Sequence, residues 1–206
     1  FQGAMNQKEN DWKAVRNHIV DCYQKAEKIR YGQSAVTELE HSLQCAELAD
    51  QAGADEALVM ACMLHDVARF AVPQSQVSDT LQNTEVVPGA KNHGEAAAEL
   101  MKDMLPERSL FCIRYHAEAK QYLCQNNPGY RDRLADASIK TLTVQSDSTS
   151  PQDLETLANH RFWKDALRVR TWDDRAKVKG RETRPLDYWI ERLDEFLADV
   201  PRQPAT

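Results

Sequence analysis

The sequence predicts an all-α fold, a helical bundle that forms a single domain. Apolar residues recur at spacings of three and four through most of the chain, the pattern of helices with one buried face. Glycine and proline fall between these segments, and the segment from Val144 to Ser150 is too short and too polar for a core strand. A length of 206 residues without an internal repeat suits one domain.

Three helices are predicted in the first third of the chain. The first carries an apolar stripe formed by Trp12, Val15, Ile19, Cys22, Ala26 and Ile29. After a glycine-bearing loop at residues 31–34, a second helix is expected from about Thr37 to Gln51, with Gly53 ending it. The segment from Ala57 to Ala68 is apolar on nearly every side, as expected of a central, buried helix.

The rest of the chain alternates between loops and helices. Residues 72–90 are rich in proline, serine, glutamine and threonine and are expected to form a long loop. Helices are predicted near residues 94–104 and 107–124, followed by a turn at residues 126–129. Ser150 and Pro151 are a helix start, with a cap and a proline at the first helical position, and Pro185 is expected to open the last helix.

Composition and charge exclude several classes of partner. The net charge is −6 and the sequence has no long run of lysine or arginine, so nucleic acid and anionic membranes are poor candidates. We find neither a signal peptide nor an apolar stretch of roughly 20 residues, the length of a membrane span. The five cysteines are an odd number and show no C-x-x-C spacing. This favours buried thiols in a reducing, cytoplasmic compartment over disulfides or a zinc site. Residues 1–4 resemble a tag remnant, and Met5 is expected to begin the native chain.

Four histidines fall one to each of four predicted helices: His41, His65, His93 and His116. Asp66 follows His65 inside the most apolar segment, where an unpaired carboxylate is very costly. For any single histidine, a buried His–Asp hydrogen bond is the simpler interpretation. Histidines and an aspartate on separate helices of one small domain, however, are typical of a metal site in the core of a bundle.

At these residues the chain resembles a known family. His41 with His65-Asp66 resembles the opening of the HD superfamily, helical metal enzymes that are mostly phosphohydrolases. The segment 172–177 resembles a ligand segment of inositol oxygenase, which makes Asp173 the candidate for the later aspartate. The stretches that match the phosphonate-cleaving branch of HD-domain di-iron oxygenases are residues 39–46, 116–123, 136–142 and 164–173. The resemblance implies an HD domain over residues 5–206.

The resemblance also implies a metal set and a co-substrate. One iron is expected on His41, His65, Asp66 and Asp173, and the other on His93 and His116. The Asp66 carboxylate would bridge a pair of iron ions in the Fe(II)/Fe(III) state, with O2 as the co-substrate. Imidazole and carboxylate ligands suit iron, and the lack of a cysteine ligand disfavours structural zinc.

A small anionic phosphonate is the expected partner, with contacts implied from Lys120, Ser138 and Arg170. Tyr31 matches a tyrosine of the family's active-site lid. Ser34 stands where a member that acts on 2-amino-1-hydroxyethylphosphonate has a glutamate. Arg69 stands where that member has a histidine, and is expected to serve the phosphonate as a fixed cation. Without that glutamate, the favoured substrate is (R)-1-hydroxy-2-(trimethylammonio)ethylphosphonate, cleaved to glycine betaine and phosphate. The amino compound, cleaved to glycine and phosphate, is the alternative.

Two other function classes remain open from the residues. A metal-dependent HD phosphohydrolase would need His41, His65, Asp66 and Asp173 but no O2. A non-catalytic helical module would merely bury its histidines. Metal analysis separates these classes, since iron favours the oxygenase and manganese or nickel a hydrolase. The sequence does not specify the oligomeric state.

Overall fold

The structure is a computed structural model that describes residues 2–32, 34–71, 92–136, 138–139, 142 and 149–202, with the side chains of residues 2–11 and 92 excepted. Named helices in these ranges are α1 Gln2–Ala26, α2 Glu38–Gln51, α3 Glu56–Leu64, α4 Ala68–Ala71, α5 Asn92–Leu100, α6 Glu107–Asn126, α7 Pro151–Ala158, α8 Trp163–Arg175 and α9 Leu186–Asp199. The described residues contain no sheet, only an isolated bridge between Arg30 and Thr37. The predicted all-α fold is confirmed.

The centre of the bundle is α3. Its residues 58–64 are fully buried, and it packs against α2, α6 and α8. Because α3 is apolar on every side, it can pack against helices all around it, as the sequence predicted. The helix α6 in turn packs against α5 and α8, so side chains from five helices meet near the end of α3.

Local capping signals set the start and end of α2. The Thr37 hydroxyl accepts from the Glu40 amide at 3.2 Å, while the Glu40 carboxylate accepts from the Thr37 amide at 2.7 Å. This reciprocal pair satisfies two amides that a helix start leaves open. At the other end Gly53 adopts a positive φ of 73°. The predicted bounds of this helix are therefore confirmed to within one residue.

The predicted central helix was wrong at its end. The segment from Ala57 to Ala68 is not continuous, because α3 ends at Leu64 and a turn at His65–Val67 separates it from α4. In this turn the Val67 amide donates to the Leu64 carbonyl at 3.1 Å and the Arg69 amide to the Asp66 carbonyl at 2.9 Å. These tighter i to i−3 bonds replace the α-helical ones, so His65 and Asp66 lie on a turn, not inside a helix.

Other boundaries shift by a few residues. The first helix ends at Ala26, and Ile29, expected on its apolar stripe, lies beyond it and is 40% exposed. The helix predicted at 94–104 ends at Leu100. The helix starts at Ser150 and Pro185 are confirmed. The predicted loop at 72–90 lies outside the described residues. Within the described ranges, no helix has both the length and the apolar character to cross a membrane.

Gly94 marks the closest approach of α5 to α6. A Cβ atom at this position would lie 2.7 Å from the Arg114 carbonyl oxygen and 2.8 Å from that of Ile113. Both are backbone atoms, so the two helices would have to separate. We expect Gly94→Ala to lower the free energy of unfolding by about 1–3 kcal/mol, as overpacking does. Urea titration checks this against Glu95→Ala, an exposed control on α5, and equal midpoints for the two variants would refute the close approach.

Candidate metal centre and substrate pocket

The structure brings all six predicted ligands together at the centre of the bundle. His41 comes from α2, His65 and Asp66 from the turn after α3, and the others from α5, α6 and α8: His93, His116 and Asp173. None of them is more than 3% exposed. The two remaining histidines lie elsewhere: His18 forms a hydrogen bond with the Ala71 carbonyl oxygen, and the ring of His160 stacks on that of Phe111. Buried imidazoles and carboxylates in one cluster form a candidate metal centre.

The first group of donor atoms surrounds one oxygen of Asp66. Its Oδ2 lies 3.3 Å from His41 Nε2 and 3.2 Å from His65 Nε2. The Oδ1 of Asp173 lies 3.2 Å and 3.5 Å from the same two nitrogens. Two imidazoles and two carboxylates therefore point at one small volume.

The second group surrounds the other oxygen of Asp66. Its Oδ1 lies 2.9 Å from His93 Nε2 and 3.4 Å from His116 Nε2, and these two nitrogens are 2.7 Å apart. The donor atoms within each group all lie within 4.8 Å of one another. Asp66 belongs to both groups, with one carboxylate oxygen in each.

Backbone carbonyls orient three of the imidazoles. The Nδ1 atoms of His41, His65 and His116 lie 2.7–2.8 Å from the carbonyl oxygens of Ala176, Cys62 and Ile113. A carbonyl only accepts, so each Nδ1 carries a hydrogen, and in the neutral ring each Nε2 is left with a lone pair. Nε2 atoms that face each other, such as those of His41 and His65 at 3.2 Å, repel unless a proton or a metal ion lies between them.

The charge around these groups favours such a cation. Burial alone would raise the pKa of the Asp66 carboxyl, but His65 and other nearby histidines hold it well below its usual range. Burial would lower the pKa of His65, whereas Asp66 and Asp173 raise it well above its usual value. Burial and the neighbouring imidazoles lower the pKa of His116 to about 4, so it is neutral at pH 7. Two ionised carboxylates thus attract positive charge to this volume.

The donor spacing fits metal coordination. Ligands that lie about 2.1 Å from one metal ion at right angles are about 3 Å apart, close to the 2.7–3.5 Å separations found here. With four donors in one group and three in the other, a metal ion at either position would have room for further ligands. Oxygen and imidazole donors without cysteine suit iron, manganese and similar divalent ions. The residues therefore fit a pair of metal ions.

Basic side chains and a second aspartate hold Asp173 in place. Arg170 Nη1 lies 2.6 Å from Asp173 Oδ2, and Lys177 Nζ lies 3.0 Å from its Oδ1. Asp174 accepts from Arg170, with 2.9 Å to its Nε, and from the Tyr130 hydroxyl. Burial alone would raise the pKa of the Asp173 carboxyl, but the Arg170 and Lys177 cations hold it well below its usual range.

Lys120 and Ser138, the other predicted phosphonate contacts, lie together. Lys120 is 2% exposed and donates to the Ser138 carbonyl oxygen at 3.3 Å. Burial and the nearby Arg170 guanidinium lower the pKa of Lys120 to about 7. A lysine and an arginine held close to each other by the fold are expected where an anion binds.

The predicted lid residue Tyr31 lies directly against the centre. Its hydroxyl donates to Asp66 Oδ2 at 3.0 Å, and its ring centroid is 4.0 Å from that of His41. The Arg69 guanidinium lies 4.4 Å from the same ring centroid. Ser34 closes a turn with Tyr31, because its amide donates to the Tyr31 carbonyl at 2.9 Å.

Sequence reasoning missed three residues that shape this site. Glu38 is 2% exposed and forms an ion pair with Arg69 at 2.9 Å. Asp174, passed over in favour of Asp173, and Tyr130 hold Arg170. Glu38 has a weak signal in the sequence, since it lies three residues before His41 and so on the same face of the helix. A glutamate in the first turn of a helix, however, is usually explained by the helix dipole.

Comparison with known proteins identifies the family of this chain. The HD domain family matches residues 39–194. A [1-hydroxy-2-(trimethylamino)ethyl]phosphonate dioxygenase (glycine-betaine-forming) of Leisingera caerulea is 34% identical over 75% of this chain and 74% of its own length. A hydroxymethylphosphonate dioxygenase of Gimesia maris is 28% identical over 81% of this chain and 83% of its own. By the extent of these matches, the chain belongs to the HD-domain family.

Proposed function

We propose that this chain is a di-iron oxygenase that uses O2 to cleave the carbon–phosphorus bond of a small 1-hydroxyphosphonate. The observation that carries the proposal is the Asp66 carboxylate, whose two oxygens each face a separate pair of histidines. A carboxylate shared in this way can bridge two metal ions. The relatives that share the HD domain and act on phosphonates supply the reaction class.

The proposed ligands divide between two iron ions. His41, His65 and Asp173 would hold one ion and His93 and His116 the other, with Asp66 shared between the two groups. When bound, a mixed-valent iron pair supplies the oxidising chemistry with O2 that cleavage of an unreactive C–P bond requires. The backbone carbonyls on the Nδ1 atoms keep the ligand nitrogens aimed inward before any metal arrives.

The reaction balances without an external reductant. A 1-hydroxyphosphonate and one O2 give a carboxylic acid and phosphate, so the atoms of both reactants appear in the products. The hydroxyl-bearing carbon loses four electrons, which is the number that one O2 accepts. The C–H and C–P bonds of that carbon break, and phosphate leaves with one oxygen more than the phosphonate had.

The chain's own residues bind and orient the phosphonate. Lys120 supplies a buried cation, and Ser138 lies beside it. The guanidinium of Arg170 has five N–H donors, and Asp173 and Asp174 engage three of them, so donors remain for a phosphonate oxygen. Because Arg170 also contacts Asp173, a proposed iron ligand, it links the phosphonate end to the metal end of the pocket.

The proposed substrate is 1-hydroxy-2-(trimethylammonio)ethylphosphonate, and the products are glycine betaine and phosphate. Ser34 offers no carboxylate to a primary ammonium, whereas a trimethylammonium group has no N–H bonds to satisfy. The relative from Leisingera caerulea acts on the trimethylamino compound. The amino compound is the alternative substrate, and hydroxymethylphosphonate, the substrate named for the relative from Gimesia maris, is a third.

The first test is phosphate release by the purified chain. We expect about two irons per chain and phosphate release from 1-hydroxyphosphonates in air but not under argon. Colorimetric phosphate assay and metal analysis measure both. Phosphate release from a nucleotide or phosphate monoester without O2, with manganese or nickel bound, would instead establish a phosphohydrolase.

A second measurement decides the substrate. We expect kcat/KM to be higher for the trimethylammonio compound than for the amino compound, and the ratio to shift toward the amine in Ser34→Glu. The added carboxylate restores the charged hydrogen bond that a primary ammonium loses on leaving water. A parent chain that prefers the amine, or hydroxymethylphosphonate, would overturn the substrate while leaving the oxygenase reaction in place.

A further inference from the structure

We propose that Glu38 and Arg69 act as a positioning pair that holds Tyr31 over the candidate metal centre, and so set how tightly the cover loop closes on it. The cover loop is defined as residues 27–37, of which Gln33 lies outside the described residues. This inference rests on the proposed function for its consequence in catalysis. Its structural part concerns only the contacts of the chain.

The side chain of Tyr31 ties the cover loop to distant parts of the fold. Its hydroxyl donates to Asp66, its ring packs at a tilt against that of His41, and the Arg69 guanidinium lies over the ring at 4.4 Å. Among the described residues, the backbone bonds of the loop are local: the Tyr31 amide donates to the Val36 carbonyl at 3.0 Å and the Glu38 amide to the Ile29 carbonyl at 2.8 Å. Such local bonds shape the loop, and the Tyr31 side chain together with the buried Val36 fixes where it lies.

Arg69 is placed for this role by charge and by shape. Its Nε lies 2.9 and 3.2 Å from the two carboxylate oxygens of Glu38, and both side chains are almost completely buried. The carboxylate neutralises the guanidinium, which would otherwise be a costly buried charge beside the centre. It also fixes the plane of the guanidinium, and a planar cation packs on an aromatic face as a lysine ammonium does not.

The pair connects three elements whose positions define the centre. Glu38 begins α2, one turn before His41, and Arg69 lies on α4, three residues after Asp66. The Arg69 amide donates to the Asp66 carbonyl at 2.9 Å, so the turn that presents Asp66 also presents Arg69. Tyr31 is therefore held by residues whose backbone is rigidly connected to two proposed ligands.

The test is hydrogen–deuterium exchange of the cover loop in the whole chain, measured by mass spectrometry. Removing only one partner leaves a buried unpaired charge and threatens the fold, so the main variant is Glu38→Gln with Arg69→Met. We expect its cover-loop peptides to exchange roughly two- to thirtyfold faster, the range that a lost cation–π contact implies. Peptides of α3 and α6 should keep the parent's protection, and the metal content should be unchanged.

A variant chain that lacks the Tyr31 ring distinguishes a positioning role of the pair from a general loss of stability. In Tyr31→Leu, adding Glu38→Gln with Arg69→Met should change cover-loop exchange little, because the pair acts through the ring. Unchanged loop protection in the double variant, or an equal effect in the Tyr31→Leu background, would overturn the proposal. Neither readout needs a substrate. A result that refutes the positioning pair therefore leaves the proposed phosphonate cleavage untouched, and a failure of phosphonate cleavage leaves the positioning pair untouched. If cleavage is established, the double variant should also raise KM for the phosphonate more than it lowers kcat.

Discussion

Replacing Asp66 with asparagine or alanine should produce a folded chain that retains neither iron ion. Asp66 is the only one of the six proposed ligands whose oxygens face both histidine groups, Oδ2 toward His41 and His65 and Oδ1 toward His93 and His116. Losing it removes one oxygen ligand from each metal position, together with the negative charge that the two positions share. Metal analysis after gel filtration measures the loss, and circular dichroism checks that the helices remain.

His116→Ala is the matched control for this variant. Its Nε2 lies only in the second group, so we expect one iron to be lost preferentially and the other to remain. A weaker effect is expected because the removed ligand is neutral, with a pKa near 4. An Asp66→Asn chain that still holds two irons would disprove the bridging role, and a His116→Ala chain that loses both would show that the two positions do not fill separately.

The helices were predictable wherever a local signal marks their ends. Thr37 and Ser150 begin helices as expected because a side-chain oxygen caps amides within the same turn. The break after Leu64 was not predictable in this way. Residues 57–68 are apolar apart from His65 and Asp66, so their periodicity contains no boundary. Long-range contacts of Asp66 with histidines from other helices accompany the turn, and no pattern within the segment records them.

The candidate site divides in the same manner. The clustering of the proposed ligands was predictable because histidine and aspartate are rare on apolar helices, and because their order resembles a known family. Glu38, Asp174 and Tyr130 were missed because their roles depend on partners that lie 31 to 44 positions away or on a choice between adjacent aspartates. Charged residues near helix ends are common for local reasons, so sequence alone does not distinguish a residue that supports a site.

Replacing Lys120 with methionine should raise KM for the phosphonate by roughly ten- to hundredfold, the effect of losing a charge-assisted hydrogen bond of about 1.5–3 kcal/mol. Methionine has a similar length and no charge, so the packing around residue 120 is largely kept. Lys102→Met, which removes an exposed lysine that pairs with Glu99, should leave KM unchanged. Iron content should match the parent in both variants. An unchanged KM in Lys120→Met would place the phosphonate elsewhere.

The pH dependence gives this prediction a second readout. Burial and Arg170 lower the pKa of Lys120 to about 7, so the free chain carries the cation below pH 7 and loses it above. The difference in kcat/KM between parent and Lys120→Met should therefore be largest in mildly acidic buffer and should narrow as the pH rises through 7.

The stability of the same variant should move in the opposite direction. The pKa of Lys120 lies below that of an unfolded lysine, so burial of this side chain opposes folding. The penalty is full below pH 7, where both states hold the proton, and decreases as the pH rises above 7. Lys120→Met removes that cost and should keep or raise the midpoint of urea unfolding at pH 7. A chain that binds phosphonate less well yet unfolds no more easily has lost a binding group, whereas a lowered midpoint would show that Lys120 mainly supports the fold.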